Sequence, residues 1–360
     1  MTQTISLKLK LKPTVEQELV LKHMVREYSE TVRQIAKRTI TEKEFDTKMS
    51  SKHIKADLPG RLKAQAIRDA KTFYNLSKKR NFDIIPDLFN ETCVWNNQSY
   101  KVSPNEIDLS AMVDGNNHRM KVKLCASKDN RVERLLSHKL GTATLSNRNG
   151  KWIVCIALTV NTSDKKTKKT SDKKVMGIDL GIKVPAVAIT EDGKVKFFGN
   201  GRENKFMKRK FASKRKELMK NKKMKAVIKL GNKEQRWMQD KDHKISREIV
   251  NFAKENGVTV IKLEKLSNIR QTVRLRKKQR KDLHSWSFYR LSSYIEYKAN
   301  MEGIKVVYVN PAYTSQICPS CGEKNKVNDR NYKCKCGYKG HRDLVGAKNI
   351  CFSENVIKNK

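Results

Sequence analysis

Two cysteine pairs near the end of the chain, Cys318-Pro-Ser-Cys321 and Cys334-Lys-Cys336, constrain its folding more than any other feature. Twelve residues separate the pairs, and four thiolates in two knuckles match a tetrahedral zinc site in which turn amides donate to the sulfurs. The second knuckle is Cys-x-Cys, tighter than the usual Cys-x-x-Cys. The knuckles run directly into His341-Arg342-Asp343 at an acidic helix start, which suggests metal-held nucleic-acid binding coupled to metal-dependent chemistry. His341 is a conceivable substitute ligand, and we read it as a loop residue beside an active site. Cys93, Cys125, Cys155 and Cys351 lie singly in apolar surroundings and read as core residues, not as a secreted disulfide framework.

Asp343 belongs with two earlier acids. Asp179 ends the apolar run of Val175-Met-Gly-Ile-Asp179 and precedes a glycine, and Glu264 ends Val258-Thr-Val-Ile-Lys-Leu-Glu264. Carboxylates converging on the ends of strands and the start of a helix are what hard cations need. Two Mg²⁺ ions roughly 4 Å apart can neutralise a phosphate, activate water and stabilise a leaving oxygen. Each acid has a bland reading: Glu264 as a solvated turn residue and Asp343 as a helix cap. Asp179 sits in a Gly-Ile-Asp-Leu-Gly pattern that also opens actin-like ATPases, but the glycine-rich phosphate loops those require are missing here. The joint occurrence, with the cysteine ribbon placed before the third acid, points to a nuclease.

The charge agrees. Lys and Arg number 79 against 37 Asp and Glu, a net +42 over 360 residues, and such a chain calls for a polyanionic partner. Lys324, Lys326, Arg330, Lys333 and Lys339 place part of that charge on the ribbon. The length allows two or three packed units. No secretory signal and no apolar run long enough for a membrane span is evident, so the chain reads as soluble and intracellular, cytoplasmic and nucleoid-associated in a bacterium.

Along the chain, Ile5, Leu7, Leu9 and Leu11 alternate as in a half-buried strand, and Thr14 to Gln17 has capping-box spacing. Leu21, Met24, Val25, Tyr28, Val32 and Ile35 trace one helix face, and a second helix covers about 58–77 with Arg61, Lys63, Arg68 and Lys71 on its polar side. From about residue 84 the pattern turns to short strands, with an Asn149-Gly150 turn before the Trp152–Val160 strand. Residues 161–174 read as a lysine-rich linker. A three-strand meander then carries Asp179, and residues 202–256 are helical and intensely basic. A basic loop over 270–281, a helix over 285–301 and a strand over 305–309 lead into the ribbon, and the tail after Phe352 reads as frayed. The class is α/β, with several domains.

These residues resemble the TnpB family encoded by bacterial insertion sequences, relatives of the type V CRISPR effector nucleases. The resemblance rests on Gly177-Ile-Asp-Leu-Gly-Ile-Lys183, Val260-Ile-Lys-Leu-Glu264, Tyr313-Thr-Ser-Gln316, the knuckles, and His341-Arg-Asp-Leu-Val-Gly-Ala-Lys-Asn-Ile350, and covers at least 175–352. It implies an RNase H-like (RuvC) nuclease domain with an inserted zinc ribbon, and a wedge β-barrel interrupted by a helical recognition domain. The implied division is a first wedge strand at 1–12, the recognition domain at 13–83, the rest of the wedge at 84–160 and the linker at 161–174. The nuclease domain follows at 175–312, the ribbon at 313–339, the third nuclease motif at 340–352 and a flexible tail at 353–360. Asp179, Glu264 and Asp343 would bind Mg²⁺, Arg342 would position the site or the scissile strand, and Cys318, Cys321, Cys334 and Cys336 would bind a structural Zn²⁺. The implied partners are a guide RNA from the element's end and target double-stranded DNA, bound by a monomer, with base pairing reading the sequence beyond a short target-adjacent motif. The alternatives are a guided DNA-binding repressor, which all three positions being acidic argues against, and a transposition accessory protein. A strand-joining transposase lacks its expected His-hydrophobe-His or paired-tyrosine signature.

Overall fold

Alternation along Ile5–Leu11 forms β1 (Thr2–Lys12), with Leu7, Leu9 and Leu11 buried. The computed structural model describes residues 2–82, 91–125, 131–148, 150–161, 174–266, 288–327 and 329–357. They fall into two compact units, Met1–Asn161 and Thr162–Lys360.

In the first unit, Pro13 ends β1 and Thr14 caps α1 (Val15–Thr41). The Thr14 hydroxyl accepts from the Gln17 amide at 3.3 Å, and the Gln17 side chain accepts from the Thr14 amide at 3.1 Å. The apolar face expected of α1 is buried and packs with α2 (Gly60–Arg80) through Leu62, Ala66 and Ala70. Tyr28 also donates to Asp69 across the pair at 2.7 Å. Next come β2 (Thr92–Trp95), β3 (Tyr100–Val102), β4 (Glu106–Val113), β5 (Asn116–Leu124), a short α3 (Arg131–Leu136), β6 (Lys139–Arg148) and β7 (Lys151–Asn161). The sheet order is β2-β6-β7-β1-β5-β4-β3, so the first strand is central and the two long helices are an insertion after it.

The ends of this sheet curl toward one another. Trp95 of β2 donates its indole N–H to Ser110 O of β4, and the Tyr100 hydroxyl of β3 donates to Gly141 O of β6, both at 2.9 Å. The enclosed core includes Trp95, Ile107, Leu109, Leu145, Ile156 and Leu158. Two of the four single cysteines depart from the core reading: Cys93 and Cys351 are buried, but Cys125 and Cys155 are only half-buried. Cys155 falls on the face of β7 opposite Val154 and Ile156, because side chains alternate along a strand. Of the expected Asn149-Gly150 turn, Asn149 lies outside the described residues. Gly150 has φ +74° and its amide donates to Asn147 Oδ1.

The second unit holds β8 (Val175–Asp179), β9 (Ala186–Thr190), β10 (Val195–Phe198), α4 (Gly201–Lys220), α5 (Met224–Leu230), α6 (Lys233–Glu255), β11 (Val260–Glu264), α7 (Phe288–Met301) and β12 (Lys305–Val309). After them come β13 (Asn331–Lys333), β14 (Lys339–His341), α8 (Arg342–Phe352) and β15 (Val356–Ile357). The sheet runs β10-β9-β8-β11-β12-β15, with β11 parallel to both β8 and β12 and the other pairs antiparallel. Met176, Ile178, Ile261 and Leu263 face α6 and α7, while Val187 and Ile189 pack with Ala347 and Cys351 of α8.

Part of the tail expected to be frayed and flexible over 353–360 is paired, and residues 358–360 lie outside the described residues. Val356 and Ile357 pair antiparallel with Val309 and Tyr308, which covers an otherwise unpaired edge of β12. The expected linker between Asn161 and Lys174, the basic loop over 270–281 and the first turn of the 285–301 helix lie outside the described residues. No described helix is long and apolar enough to cross a membrane.

Candidate active site and metal centre

Alternation along β8 sends Met176 and Ile178 to one face and Gly177 and Asp179 to the other, the face that α8 covers. That helix comes unusually close. A Cβ placed on Gly177 would lie 2.3 Å from Ala347 O and 2.4 Å from Cys351 N, so only glycine admits α8 at this depth. A Cβ added to Gly346 would lie 3.1 Å from Asp179 Oδ2, so the second small residue keeps α8 over the Asp179 carboxylate. Asp343 sits in the first turn of the same helix, whose N-cap is His341. Asp343 therefore is not the cap that its sequence position also allowed. On the neighbouring parallel strand Leu263 pairs with Ile178, which brings Glu264 level with Asp179. Three distant acids thus meet at the end of two parallel strands and one helix.

Their electrostatics show the cost of that meeting. Burial, then Glu264, then Asp343 push the Asp179 carboxyl well above the usual range, against the pull of Arg330 and Arg342. Burial also raises Glu264, which is 9% exposed, while the Thr314 hydroxyl that donates to its Oε1 lowers it. Carboxylates that resist ionising together because they are buried and adjacent are stabilised by a cation, and an all-oxygen set suits a hard divalent ion such as Mg²⁺. Asp343 is ion-paired with Arg330 here. Accordingly the three acids do not form a tight oxygen cluster; the cysteines are the set whose ligand atoms all lie within 4.8 Å among the described residues.

Arg342, expected to hold the scissile strand or position the site, ties the helix start to the ribbon. Its guanidinium donates to Val327 O at 3.2 Å and to the Ser315 hydroxyl at 3.3 Å. The contacts that the sequence reading missed are Arg330, noted only as one of several ribbon cations, and Thr314. Asn349 fixes the Thr314 loop to α8 by donating to Thr314 O and Ile317 O, both at 2.7 Å. The Tyr313-Thr-Ser-Gln316 stretch was the available signal for Thr314. Nothing in the spacing singled out Arg330 from its lysine neighbours.

The ribbon's thiols fit zinc by geometry. Cys318 and Cys336 Sγ lie 3.7 Å apart, and Cys321 and Cys334 Sγ 3.6 Å apart. A tetrahedron with Zn–S of about 2.3 Å has S···S edges of about 3.8 Å. Both knuckles close on a left-handed glycine, Gly322 (φ +74°) and Gly337 (φ +92°), so the tighter Cys-x-Cys turn still delivers its second thiol. Without a cation the thiols ionise unequally. Burial pushes Cys318 up, but the Cys321 and Ser320 amides and neighbouring thiols bring it down to about 7. At Cys321 the Glu323 amide lowers the thiol, while burial and three neighbouring thiols outweigh it and push it up to about 12. His341 stays outside this set and packs edge-on against Phe197, ring centroids 5.3 Å apart.

Comparison with known proteins assigns the class first. The probable-transposase family model OrfB_IS605 matches residues 142–270, and the Cas12f1-like TNB domain model matches 288–350. A cryo-EM structure of a Cas12f1–sgRNA–target DNA complex superposes with a TM-score of 0.71 over 99% of this chain and 100% of that one; at 14% identity the likeness is one of fold, mixed α/β.

Particular relatives follow. The chain is 29% identical over 221 residues to the CRISPR-associated endodeoxyribonuclease Cas12f1 of Sulfoacidibacillus thermotolerans, covering 56% of this chain and 50% of that one. It is 38% identical over 149 residues to the TnpB-like protein MJ0751 of Methanocaldococcus jannaschii, covering 39% and 53%. The chain spans about half the length of these curated relatives. The resemblance to TnpB proteins and their type V CRISPR relatives, first drawn from the motifs, is shown by these matches.

Proposed function

We propose that this chain is an RNA-guided DNA endonuclease that binds a guide RNA from its own element and cuts matching DNA beside a short target-adjacent motif. The observation that carries this reading is the convergence of Asp179, Glu264 and Asp343 at one end of β8, β11 and α8, with Asp179 pushed up by burial and then by its two acidic neighbours. In this reading the sheet of unit 2 is the RuvC-type nuclease core, the cysteine ribbon is its zinc-held insertion, and the curled sheet of unit 1 with α1 and α2 is the wedge and recognition region. Relatives named as endodeoxyribonucleases support the reaction class. So does the exposed basic helical arm: α4 buries only Gly201 and is crowded with Lys and Arg, and α5 buries only Leu230 and adds Lys225 and Lys229. A helix that buries so little of itself suits contact with a phosphate backbone.

Two Mg²⁺ ions on the three carboxylates would supply charge neutralisation and an activated water for in-line hydrolysis, with no covalent enzyme intermediate. The chain's own contribution is positional. Gly177 and Gly346 set the depth of α8 and hence of Asp343, Thr314 holds Glu264, and Arg330 offers Asp343 a cation that a bound metal or phosphate would displace. Arg342 braces the ribbon so that these groups stay in register.

The test is to express the gene with its native flanking DNA, purify the protein and sequence the bound nucleic acid. A discrete RNA from the flank ending in a variable segment is expected, and that RNA should direct Mg²⁺-dependent cutting of a matching plasmid. Heterogeneous or absent RNA would sink the guided reading, and RNA-directed binding without cutting would favour a repressor.

A further inference from the structure

A cavity of about 280 Å³ opens beside Glu264, walled by that residue, by Leu180 on the α7 face of the sheet, and by the first turns of α7. We propose that it is a nucleobase pocket, which receives one unstacked base of the DNA strand next to the scissile phosphate. This rests on the nuclease reading above and adds how the strand is gripped.

Size, lining and charge all select a single base. The volume falls just short of the ~300–1,000 Å³ of sites that take larger ligands. Phe288 forms a buried wall, Tyr308 a half-buried one, and Tyr289 stands at the rim with 75% of its surface exposed. So exposed a ring is available for base stacking, which tolerates any sequence because every base has a π-face. Apart from Glu264, assigned above to the metal, the charged lining is Glu296 and Lys265, and the Glu296 carboxylate can accept the amino edge of a base. Glu296 is oriented for this by Tyr308, whose hydroxyl donates to Oε2 at 2.8 Å. A carboxylate has further acceptor positions for an exocyclic amino group. Enzymes that act on single strands use the same combination of an apolar slot and a few polar edges.

The experiment uses the full chain loaded with its co-purified RNA and target duplexes carrying a single abasic site, walked one nucleotide at a time through the cut region. One abasic position should slow wild-type cutting about 10-fold, and Tyr289→Ala should cut the intact duplex about as slowly while losing sensitivity to that position. At the same position thymine, which lacks an amino group, should be cut more slowly than adenine or cytosine, and Glu296→Gln should remove the difference. An iodouracil placed there should crosslink to the Asp179→Ala protein and lose the crosslink in Asp179→Ala/Tyr289→Ala, a readout that needs no cleavage. Tyr289 is too exposed for its loss to unfold α7, and the melting temperature checks this. Cutting that no abasic position affects, or a Tyr289→Ala protein equally sensitive to the abasic site, overturns the pocket and leaves the nuclease intact. Undiminished cutting by Asp179→Ala overturns the nuclease reading and the pocket with it.

Discussion

Gly177→Ala should separate α8 from β8 and so test how the site is built. The new methyl would meet Ala347 O at 2.3 Å, Cys351 N at 2.4 Å and Cys351 Cα at 2.7 Å. All three are backbone atoms, so no rotamer change relieves the contact. Carbon and oxygen or nitrogen need about 3.3 Å, so α8 must move outward by roughly 1 Å. Overpacking of this kind costs about 3 kcal/mol, or roughly 6–12 °C in melting temperature for a unit of this size. The same shift carries Asp343 away from Asp179, and a 1 Å misplacement costs about 100-fold in rate. Thermal melting by circular dichroism and a single-turnover cleavage assay read the two effects. Gly60→Ala is the control, since a Cβ there meets nothing within 4 Å, and it should stay within about 0.5 kcal/mol of wild type. A Gly177→Ala protein that melts and cuts like wild type would refute the close approach of helix to strand.

Three further outcomes follow from particular contacts. Chelation, or Cys336→Ser, should abolish binding of one zinc per chain and expose Tyr332, which is fully buried against Cys318 and Val345; tyrosine near-ultraviolet dichroism unchanged after metal loss would contradict this. Asp179→Asn should stabilise the metal-free protein at neutral pH. The wild-type acid is raised in the folded state, so its native form holds a proton more tightly than the unfolded chain does. Its stability is greatest below the ordinary carboxylate pKa of about 4 and falls as pH rises from there toward the raised value. The Asn variant should lack that fall, and parallel pH–stability curves would count against the buried like-charge contact. Lys262→Met should cost about 1–2 kcal/mol, because Lys262 Nζ donates at 2.8 Å to both Cys351 O and Ser353 O at the end of α8. Denaturant unfolding measures it, and an unchanged midpoint would refute it.

The sequence made the elements legible where one physical signal dominated. Period-two alternation located β1 and β7, the Thr14–Gln17 box located the start of α1, and the cysteine spacing located the ribbon, because each is a local rule. The three acids were legible because each closes or opens an element. The contacts among them were not: the Arg330–Asp343 pair and the Thr314–Glu264 hydrogen bond depend on where the ribbon lands, which no local pattern encodes. The tail strand was missed for a similar reason. Val356 and Ile357 are two residues long and become a strand only because β12 offers an open edge.

The central claim is that Asp179, Glu264 and Asp343 form a metal-dependent nuclease site, and plasmid cleavage tests it most directly. The purified protein with its co-purified RNA is mixed with supercoiled plasmid carrying the matching target, with Mg²⁺ or with chelator, alongside Asp179→Ala and Asp343→Ala. The account predicts Mg²⁺-dependent loss of supercoils by the wild type only, with both variants still retaining RNA and binding the target. Cutting by a clean Asp179→Ala preparation, or target binding by the wild type with no cutting at any Mg²⁺ concentration, would contradict it.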